Sequence, residues 1–278
     1  MDFNLTREQQ DIKKAAREFA VGELTEKVLE WDGNEQFPDG IRLKALELGF
    51  AGLTIPESLG GPGFGLFEEC LVIEELSAIS AGAARAILEP WWGTEFLGSL
   101  EKHPLLEGIS EGRCQICSLS LSEPFTIDSK PLEGKFHFVL GTADIFFVPA
   151  VFKNKDGFLM IPFKTKGVTV KRLTSKLGLR AWPGADLDIK GIDVSDLDFI
   201  ELNGFNIKAW QVSALRQSAM AIGIARGAVY DSLSYTRKRR IFGQALADFE
   251  ATKDKFFRAW QGIEMARLMV LRAAGDWD

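Results

Sequence analysis

The alternation of hydrophobic and polar positions divides the chain into a helical part, a β part and a second helical part. Apolar residues three and four positions apart, the spacing of helices that bury one face, run through residues 1–113 and again through 204–278. In residues 114–203 the period changes to two, which is typical of strands. We therefore predict an α+β multidomain protein with an N-terminal helical domain, a middle antiparallel β domain and a C-terminal helical domain at these boundaries.

Local signals predict where the helices of the N-terminal part begin and end. Thr6 followed by Gln9 forms a capping box, which predicts the start of the first helix. The segment from Trp31 to Pro38 indicates a break, and Gly49 ends the following helix. Further helices are predicted at residues 41–48, 67–78 and 81–100, the second almost entirely buried and the last interrupted by Pro90.

Two long helices joined by a short turn, Lys238–Gly243, are predicted for the C-terminal part. Their apolar positions form a surface broader than one partner helix requires, and Arg226 interrupts it. We expect this face to be covered by the rest of the chain or by another polypeptide. The apolar positions are Val212, Leu215, Ala219, Ile222, Val229, Leu233, Phe256, Phe257, Trp260, Ile263, Ala266, Leu268, Val270 and Leu271.

In the β part, Asn154–Gly157 predicts a hairpin turn. Cys114 and Cys117 match the C-x-x-C pattern, but a separation of three in a strand places the two thiols on opposite faces. This favours two unrelated residues over a redox pair. With three cysteines and two histidines in the chain, a zinc cluster lacks ligands, and no metal site is predicted.

Composition limits the classes of function. A hydrophobic share of 46% with 26% charged residues is ordinary for a folded protein. The net charge of −6 argues against non-specific binding to nucleic acid. No apolar run reaches the roughly 20 residues of a membrane span, and the N-terminus lacks the features of a signal peptide. We therefore expect a cytoplasmic protein.

The glycine-rich run Gly60–Gly65 has two interpretations. A dinucleotide-binding loop would follow a buried strand directly and lead into a helix and a return strand. Here helices are predicted on both sides, which favours a structural turn over a phosphate-binding loop.

Five segments resemble the acyl-CoA dehydrogenase family, in that family's order and spacing. They are residues 2–10 (DFNLTREQQ), 49–63 (GFAGLTIPESLGGPG), 121–124 (LSEP), 176–180 (KLGLR) and 239–243 (RRIFG). The resemblance implies an N-terminal helical domain, a middle β-barrel-like domain and a C-terminal helical bundle. In this chain the bundle is incomplete, with two long helices. FAD and an acyl-CoA thioester are expected between the domains, where a carboxylate removes the α-proton and the flavin accepts the β-hydride.

The resemblance also implies roles for single residues. Ser122 is expected to place a hydroxyl against the flavin, and Arg239 to reach the FAD pyrophosphate with two parallel N–H donors. Phe242 belongs to the same cofactor-binding motif. Arg216 matches an arginine near the substrate, and is predicted to be substrate-binding.

Other family positions carry different residues here. Where the family has an aromatic residue and a threonine against the flavin ring, this chain has His137 and Val139. A family glutamine facing the adenosine half of FAD is Glu250. One family location of the catalytic base is Leu215 and the other lies beyond Asp278, so no catalytic residue is predicted in this chain. Glu264 and Asp231 are carboxylates on the same helices, without a spacing that favours them.

The favoured hypothesis is a subunit of a hetero-oligomeric acyl-CoA dehydrogenase, a heterodimer or heterotetramer. A second acyl-CoA dehydrogenase-type subunit would supply the base and share the FAD, and electrons would pass to an electron-transfer flavoprotein. The alternative is a non-catalytic structural or regulatory subunit that does not bind FAD. A third possibility is that the sequence is a piece of a longer protein.

Overall fold

The computed structural model describes residues 4–99, 108–109, 111–119, 124–127 and 131–278. The chain forms two compact units that interleave in sequence. Unit 1 contains Met1–Glu26, Gly65–Ala84 and Leu215–Asp278, and unit 2 contains Lys27–Phe64 and Arg85–Ala214. The α+β class and the order of helices, sheets and helices are as predicted. The domain boundaries after residues 113 and 203 stay predictions.

The elements are numbered in chain order. The α-helices are α1 (Arg7–Phe19), α2 (Val28–Asn34), α3 (Asp39–Glu47), α4 (Leu66–Ser77), α5 (Ala81–Leu88), α6 (Phe205–Lys238) and α7 (Glu250–Trp277). The strands are β1 (Ile116–Ser118), β2 (Phe125–Ile127), β3 (Leu132–Leu140), β4 (Ile145–Phe152), β5 (Lys155–Pro162), β6 (Val168–Arg172), β7 (Gly184–Ile192), β8 (Asp198–Glu201), β9 (Arg240–Ile241) and β10 (Gln244–Ala245).

The predicted capping box starts α1. The Thr6 hydroxyl accepts from the backbone N–H of Gln9 at 3.2 Å, and the Gln9 side chain accepts from the Thr6 backbone N–H at 3.0 Å. A five-residue π-helical segment, Ala20–Leu24, continues the helix. The predicted break is wrong at Trp31 and Asp32, which lie inside α2, but correct at Phe37 and Pro38, which lie in the link between α2 and α3. The last residue of α2 is Asn34, and Glu35 caps it with a left-handed φ of 54°.

In unit 1, α4 is buried on nearly all sides, as predicted, although four of its twelve residues are glutamates. It contacts α1 and α7. Its first turn is capped by the Asp278 carboxylate, which accepts from the backbone N–H of Leu66 at 2.8 Å and of Phe67 at 2.9 Å. A carboxylate at this end is favourable because the first N–H groups of a helix lack internal partners.

In unit 2, two sheets enclose one hydrophobic core. The larger has the order β1-β4-β5-β8, with β2 also paired to β4, and the smaller has the order β3-β7-β6. Most pairings are antiparallel, as predicted, but β1 and β2 run parallel to β4. Within the described ranges the two sheets do not close into one barrel.

Two predicted turns are displaced. The hairpin between β4 and β5 turns at Lys153 and Asn154, which have φ of 50° and 62°, whereas Gly157 lies inside β5. Gly157 is required there for another reason, because a Cβ would overlap the carbonyl oxygen of Ile200 on β8. The link between α6 and α7 is also longer than Lys238–Gly243, since α7 begins at Glu250.

Candidate functional site

The link between α6 and α7 contains a tight β-hairpin, β9–β10. Ile241 pairs with Gln244, so the loop consists of Phe242 and Gly243, with φ of 50° and 84°. Positive φ at both loop positions is the geometry of a type I′ turn, which favours Asn or Gly. A phenylalanine in the first position is strained, and its side chain is 95% exposed.

Arg239 stands at the base of this hairpin with an exposed side chain. Its backbone is fixed on both sides, since its N–H donates to the carbonyl of Tyr235 at 2.9 Å and its carbonyl accepts from Leu246 at 2.7 Å. Lys238 and Arg240 make the surroundings basic. The guanidinium of Arg239 and the ring of Phe242 are therefore presented on a hydrogen-bonded backbone.

Ser122, the third predicted cofactor-binding residue, lies outside the described residues. The structure resumes at Pro124 and forms β2, which pairs with β4 from Phe125 to Ile127.

Arg216 lies in α6 with only 3% of its surface exposed. Its Nε and Nη2 both donate to Glu69 Oε2 of α4, at 2.9 and 2.8 Å. Such a pair is stable inside a protein only when the charges are matched and hydrogen-bonded. The Arg216 guanidinium is thus held by a carboxylate 147 residues away in sequence.

A second buried ion cluster joins α4, α6 and α7. Arg226 donates to Glu74 and, at 2.8 Å, to Glu75, while Arg267 Nε lies 2.8 Å from Glu74 Oε2. Lys13 approaches Glu75 at 3.7 Å. Arg226 had been identified only as an interruption of an apolar seam, and the pairing with α4 carried no local sequence signal.

A third buried carboxylate, Glu89, lies in unit 2. Arg85 holds it with two bonds of 3.0 and 2.9 Å, and the indole N–H of Trp182 also donates to it. The Arg85 guanidinium lies over the Trp182 ring, 3.8 Å from its centroid. Each carboxylate that is buried in the described part of the chain (Glu69, Glu74, Glu75 and Glu89) is therefore bound to arginine.

His137 and Val139, which the resemblance places together, lie on opposite sides of their sheet. Val139 is buried in the core, whereas His137 is exposed and its Nδ1 lies 2.9 Å from Asp186 Oδ1. A β-bulge separates them, because Phe136 pairs with Leu187 but Val139 pairs with Ala185.

The segment KLGLR forms a loop that is held by two acidic residues of the α2 region. Glu35 accepts from the backbone N–H of Ser175 at 2.9 Å and of Lys176 at 3.2 Å, and contacts Arg180 Nη1 at 3.2 Å. Asp32 accepts from the Arg180 backbone N–H at 3.0 Å. These bonds, that of Ser175 first, hold the pKa of Glu35 below its usual range.

The cysteines are unsuited to thiolate chemistry. Burial raises the pKa of Cys117 to about 12 and of Cys114 to about 11, and it also raises the pKa of Cys70. Among the residues that the structure describes, no group of His, Cys, Asp and Glu is arranged to hold a metal ion. No described helix is long and apolar enough to cross a membrane.

An apolar groove of about 680 Å³ runs between α6 and α7. Small residues line much of it, including Ala221, Ala225, Ala259 and Gly262. Met269 at its edge is 73% exposed, and nothing in the described ranges covers it. The rest of the chain therefore buries part of the predicted apolar face, including Val212, Ala219 and Leu271, and the groove is a part that stays exposed.

Two family models match the chain. The acyl-CoA dehydrogenase N-terminal domain matches residues 6–90, and the acyl-CoA dehydrogenase C-terminal domain matches residues 203–278. A short-chain-specific acyl-CoA dehydrogenase of Clostridium acetobutylicum is 30% identical over 99% of this chain and 80% of its own length. The caffeyl-CoA reductase–Etf complex subunit CarC of Acetobacterium woodii is 28% identical over 96% of this chain and 78% of its own length.

The fold agrees with these matches. The butyryl-CoA dehydrogenase structure from Megasphaera elsdenii superimposes with a TM-score of 0.84 at 25% identity, covering 99% of this chain and 80% of that one. The chain belongs to the acyl-CoA dehydrogenase family of oxidoreductases. Members of this family bind FAD and dehydrogenate acyl-CoA thioesters.

Proposed function

We propose that this chain is one subunit of a hetero-oligomeric acyl-CoA dehydrogenase and completes an FAD site that it shares with a second acyl-CoA dehydrogenase-type subunit. The observation that carries the proposal is the Arg239–Phe242 hairpin. Its backbone is fixed, its phenylalanine is strained, and both functional side chains are exposed. Strain of this kind persists where a site needs it, and the contacts that offset it lie outside the hairpin.

The donor set of the hairpin fits FAD. Arg239 offers the paired N–H donors that match phosphate oxygens, and Phe242 offers an apolar surface. Ser122 is proposed to add a hydroxyl. When FAD is bound, it supplies the hydride acceptor, while this chain's residues bind and orient it.

The catalytic base is proposed to come from the partner subunit. A general base needs a carboxylate with free lone pairs close to the substrate proton. The buried carboxylates described above are bound to arginine, and Leu215 occupies one family position of the base. Glu264 is half-buried and Asp231 exposed, and neither lines the groove between α6 and α7.

The groove between α6 and α7 is proposed as a surface that the partner subunit covers. Small residues on both helices allow a third helix to approach closely. Arg216 is proposed to contribute to substrate binding while its guanidinium stays paired with Glu69. The relative from Acetobacterium woodii is named as part of an Etf complex, which supports an electron-transfer flavoprotein as the acceptor.

The test is co-expression with a neighbouring acyl-CoA dehydrogenase gene, followed by purification and flavin quantitation. We expect a yellow complex that oxidises an acyl-CoA, and loss of most flavin in Arg239→Ala. The control is Arg237→Ala, which removes an exposed basic side chain at the end of α6. A complex with this variant should keep its flavin. A complex that retains full flavin in Arg239→Ala would remove the proposed role of that residue.

Two further outcomes separate the alternatives. A colourless complex whose activity is unaffected by Ser122→Ala and Arg239→Ala would establish the non-catalytic structural subunit instead. A groove variant, Ala266→Glu, should abolish co-purification of the partner, whereas Lys255→Glu on the exposed part of α7 should not. Co-purification that survives Ala266→Glu would exclude the groove as the contact surface.

A further inference from the structure

The turn that leads into α6 contains an Asn-Gly pair, Asn203–Gly204, which occurs once in the sequence. The backbone N–H of Phe205 donates to the carbonyl of Leu202 at 3.0 Å. Gly204 has φ of 70°, whereas the φ of Asn203 is not positive. This combination is typical of a type II β-turn, in which glycine is favoured at the third position because a side chain there would be strained.

Both members of the pair are free to react. Asn203 is exposed and Gly204 is half-buried. In the described part of the chain, neither the amide of Asn203 nor the backbone N–H of Gly204 makes a hydrogen bond. A Cβ added at Gly204 would meet nothing within 4 Å, so the space beside this residue is open. The side-chain amide and the neighbouring backbone nitrogen are therefore close in sequence, reached by water and not held by other groups.

We propose that Asn203 is a site of spontaneous deamidation. The backbone nitrogen of Gly204 attacks Cγ of Asn203, and the new N–Cγ bond closes a cyclic imide while the Cγ–Nδ2 bond breaks and ammonia leaves with the former amide proton. Water then opens the imide at either of its two carbonyl carbons, which yields aspartate or isoaspartate. Glycine favours the ring closure because it has no side chain in the way and its backbone is conformationally permissive.

The fold disfavours the same reaction at other positions. Three Asp-Gly pairs could form the same imide, but Asp32–Gly33 and Asp39–Gly40 lie inside helices and Asp156–Gly157 lies inside β5. Regular backbone dihedrals keep the nitrogen from turning towards the side chain. Asn154 is exposed in a turn, like Asn203, but is followed by Lys155 instead of glycine. Asn154 is therefore an internal control.

Either product changes the entry into α6, the helix that is followed directly by Arg239. Aspartate at position 203 places a negative charge near the first N–H groups of the helix, where such a charge is favourable. Isoaspartate passes the main chain through Cγ and lengthens it by a methylene group, which disrupts the turn closed by Phe205 and Leu202. Ageing of the chain therefore produces two forms of unequal stability.

The experiment uses the purified full chain together with any subunit that co-purifies. The protein is held at mildly alkaline pH, and each asparagine is followed over days by peptide mass spectrometry, which detects the exchange of NH₂ for OH. Isoaspartate is measured by enzymatic methylation. Conversion at Asn203 should exceed that at Asn154 several-fold. Asn203→Gln, in which the ring would be larger and closes more slowly, should lose the isoaspartate signal.

A parallel sample in urea shows whether the folded turn permits the reaction. Conversion of Asn203 in urea but not in the folded protein would overturn the proposal, because the turn would then protect the amide. Equal conversion of Asn203 and Asn154 in the folded protein would overturn it too. So would an isoaspartate signal that persists in Asn203→Gln. None of these readouts depends on flavin, so the proposal stands or falls separately from the proposed function.

Discussion

Arg226 of α6 and Glu75 of α4 are bound to each other at 2.8 Å, although the side chain of the arginine is 6% exposed and that of the glutamate 1%. Arg226 also binds Glu74, and Arg267 of α7 binds Glu74 from another side. Three helices are thus joined by charges that would be costly to bury alone.

The first prediction concerns this cluster. Arg226→Met leaves Glu75 buried beside only the more distant Lys13 and Arg17, at 3.7 and 3.8 Å. Breaking a buried pair on one side costs about 3–5 kcal/mol, so the urea midpoint should fall sharply. Arg258→Met, an exposed member of an i,i+4 pair with Asp254, should change stability by about 0.5 kcal/mol or less. Equal midpoints for the two variants would contradict the structural role of Arg226.

The second prediction concerns two glycines in the long helices. A Cβ at Gly227 would overlap the carbonyl of Ala78, whereas a Cβ at Gly262 would meet nothing within 4 Å. Alanine in an open helical position stabilises by about 1 kcal/mol, so Gly262→Ala should raise the unfolding free energy. Gly227→Ala should lower the unfolding free energy, because the backbone at Ala78 or in α6 would have to move to make room for the Cβ. Stabilisation by both substitutions would show that α6 does not approach Ala78 so closely.

The third prediction concerns pH. The pKa of Glu35 in the folded chain is lowered, chiefly by the Ser175 N–H, so the unfolded chain binds a proton first as pH falls. The stabilisation by this carboxylate is complete above its unfolded pKa of about 4.3 and is lost as pH falls through the folded value. Glu35→Gln should therefore lower the melting temperature at pH 7, and the difference from wild type should shrink below about pH 4.

The control for this prediction is Glu47→Gln, at an exposed position of α3. Its melting temperature should follow that of wild type across the same range of pH. If the gap between Glu35→Gln and wild type were constant with pH, the carboxylate would not be the group that holds Ser175.

The fourth prediction concerns the hairpin of β9 and β10. Asparagine suits the first position of a type I′ turn, so Phe242→Asn should stabilise the chain by about 1 kcal/mol while reducing flavin content of the complex. Gly243→Ala, at φ of 84°, should destabilise by about 1 kcal/mol. Thermal melts and flavin absorbance check both. If Phe242→Asn were stabilised but its complex kept the wild-type flavin content, the strain at Phe242 would have a reason other than cofactor binding.

Some of the fold follows from neighbouring residues alone. The capping box of Thr6 and Gln9 and the burial of α4 are properties of a few consecutive residues, and both were predicted correctly. The short helix α2 was missed, because seven residues give little periodicity and the role of Asp32 depends on Arg180, far along the chain. The turn at Lys153 and Asn154 was placed a few residues late, because Gly157 looked like the turn residue.

The order of helices and strands, the open apolar face of α6 and α7, and five family segments can be read from the linear sequence, because periodicity and motif spacing are local or ordered along the chain. Three pairings could not be predicted from the linear sequence. They are those of Arg216 with Glu69, Arg226 with Glu75 and His137 with Asp186. Whether a charged side chain is solvated or paired with an oppositely charged side chain depends on residues that lie 49 to 151 positions away in the sequence. Only packing of the helices and sheets brings such residues together, and that packing decides which polar groups stay available for chemistry.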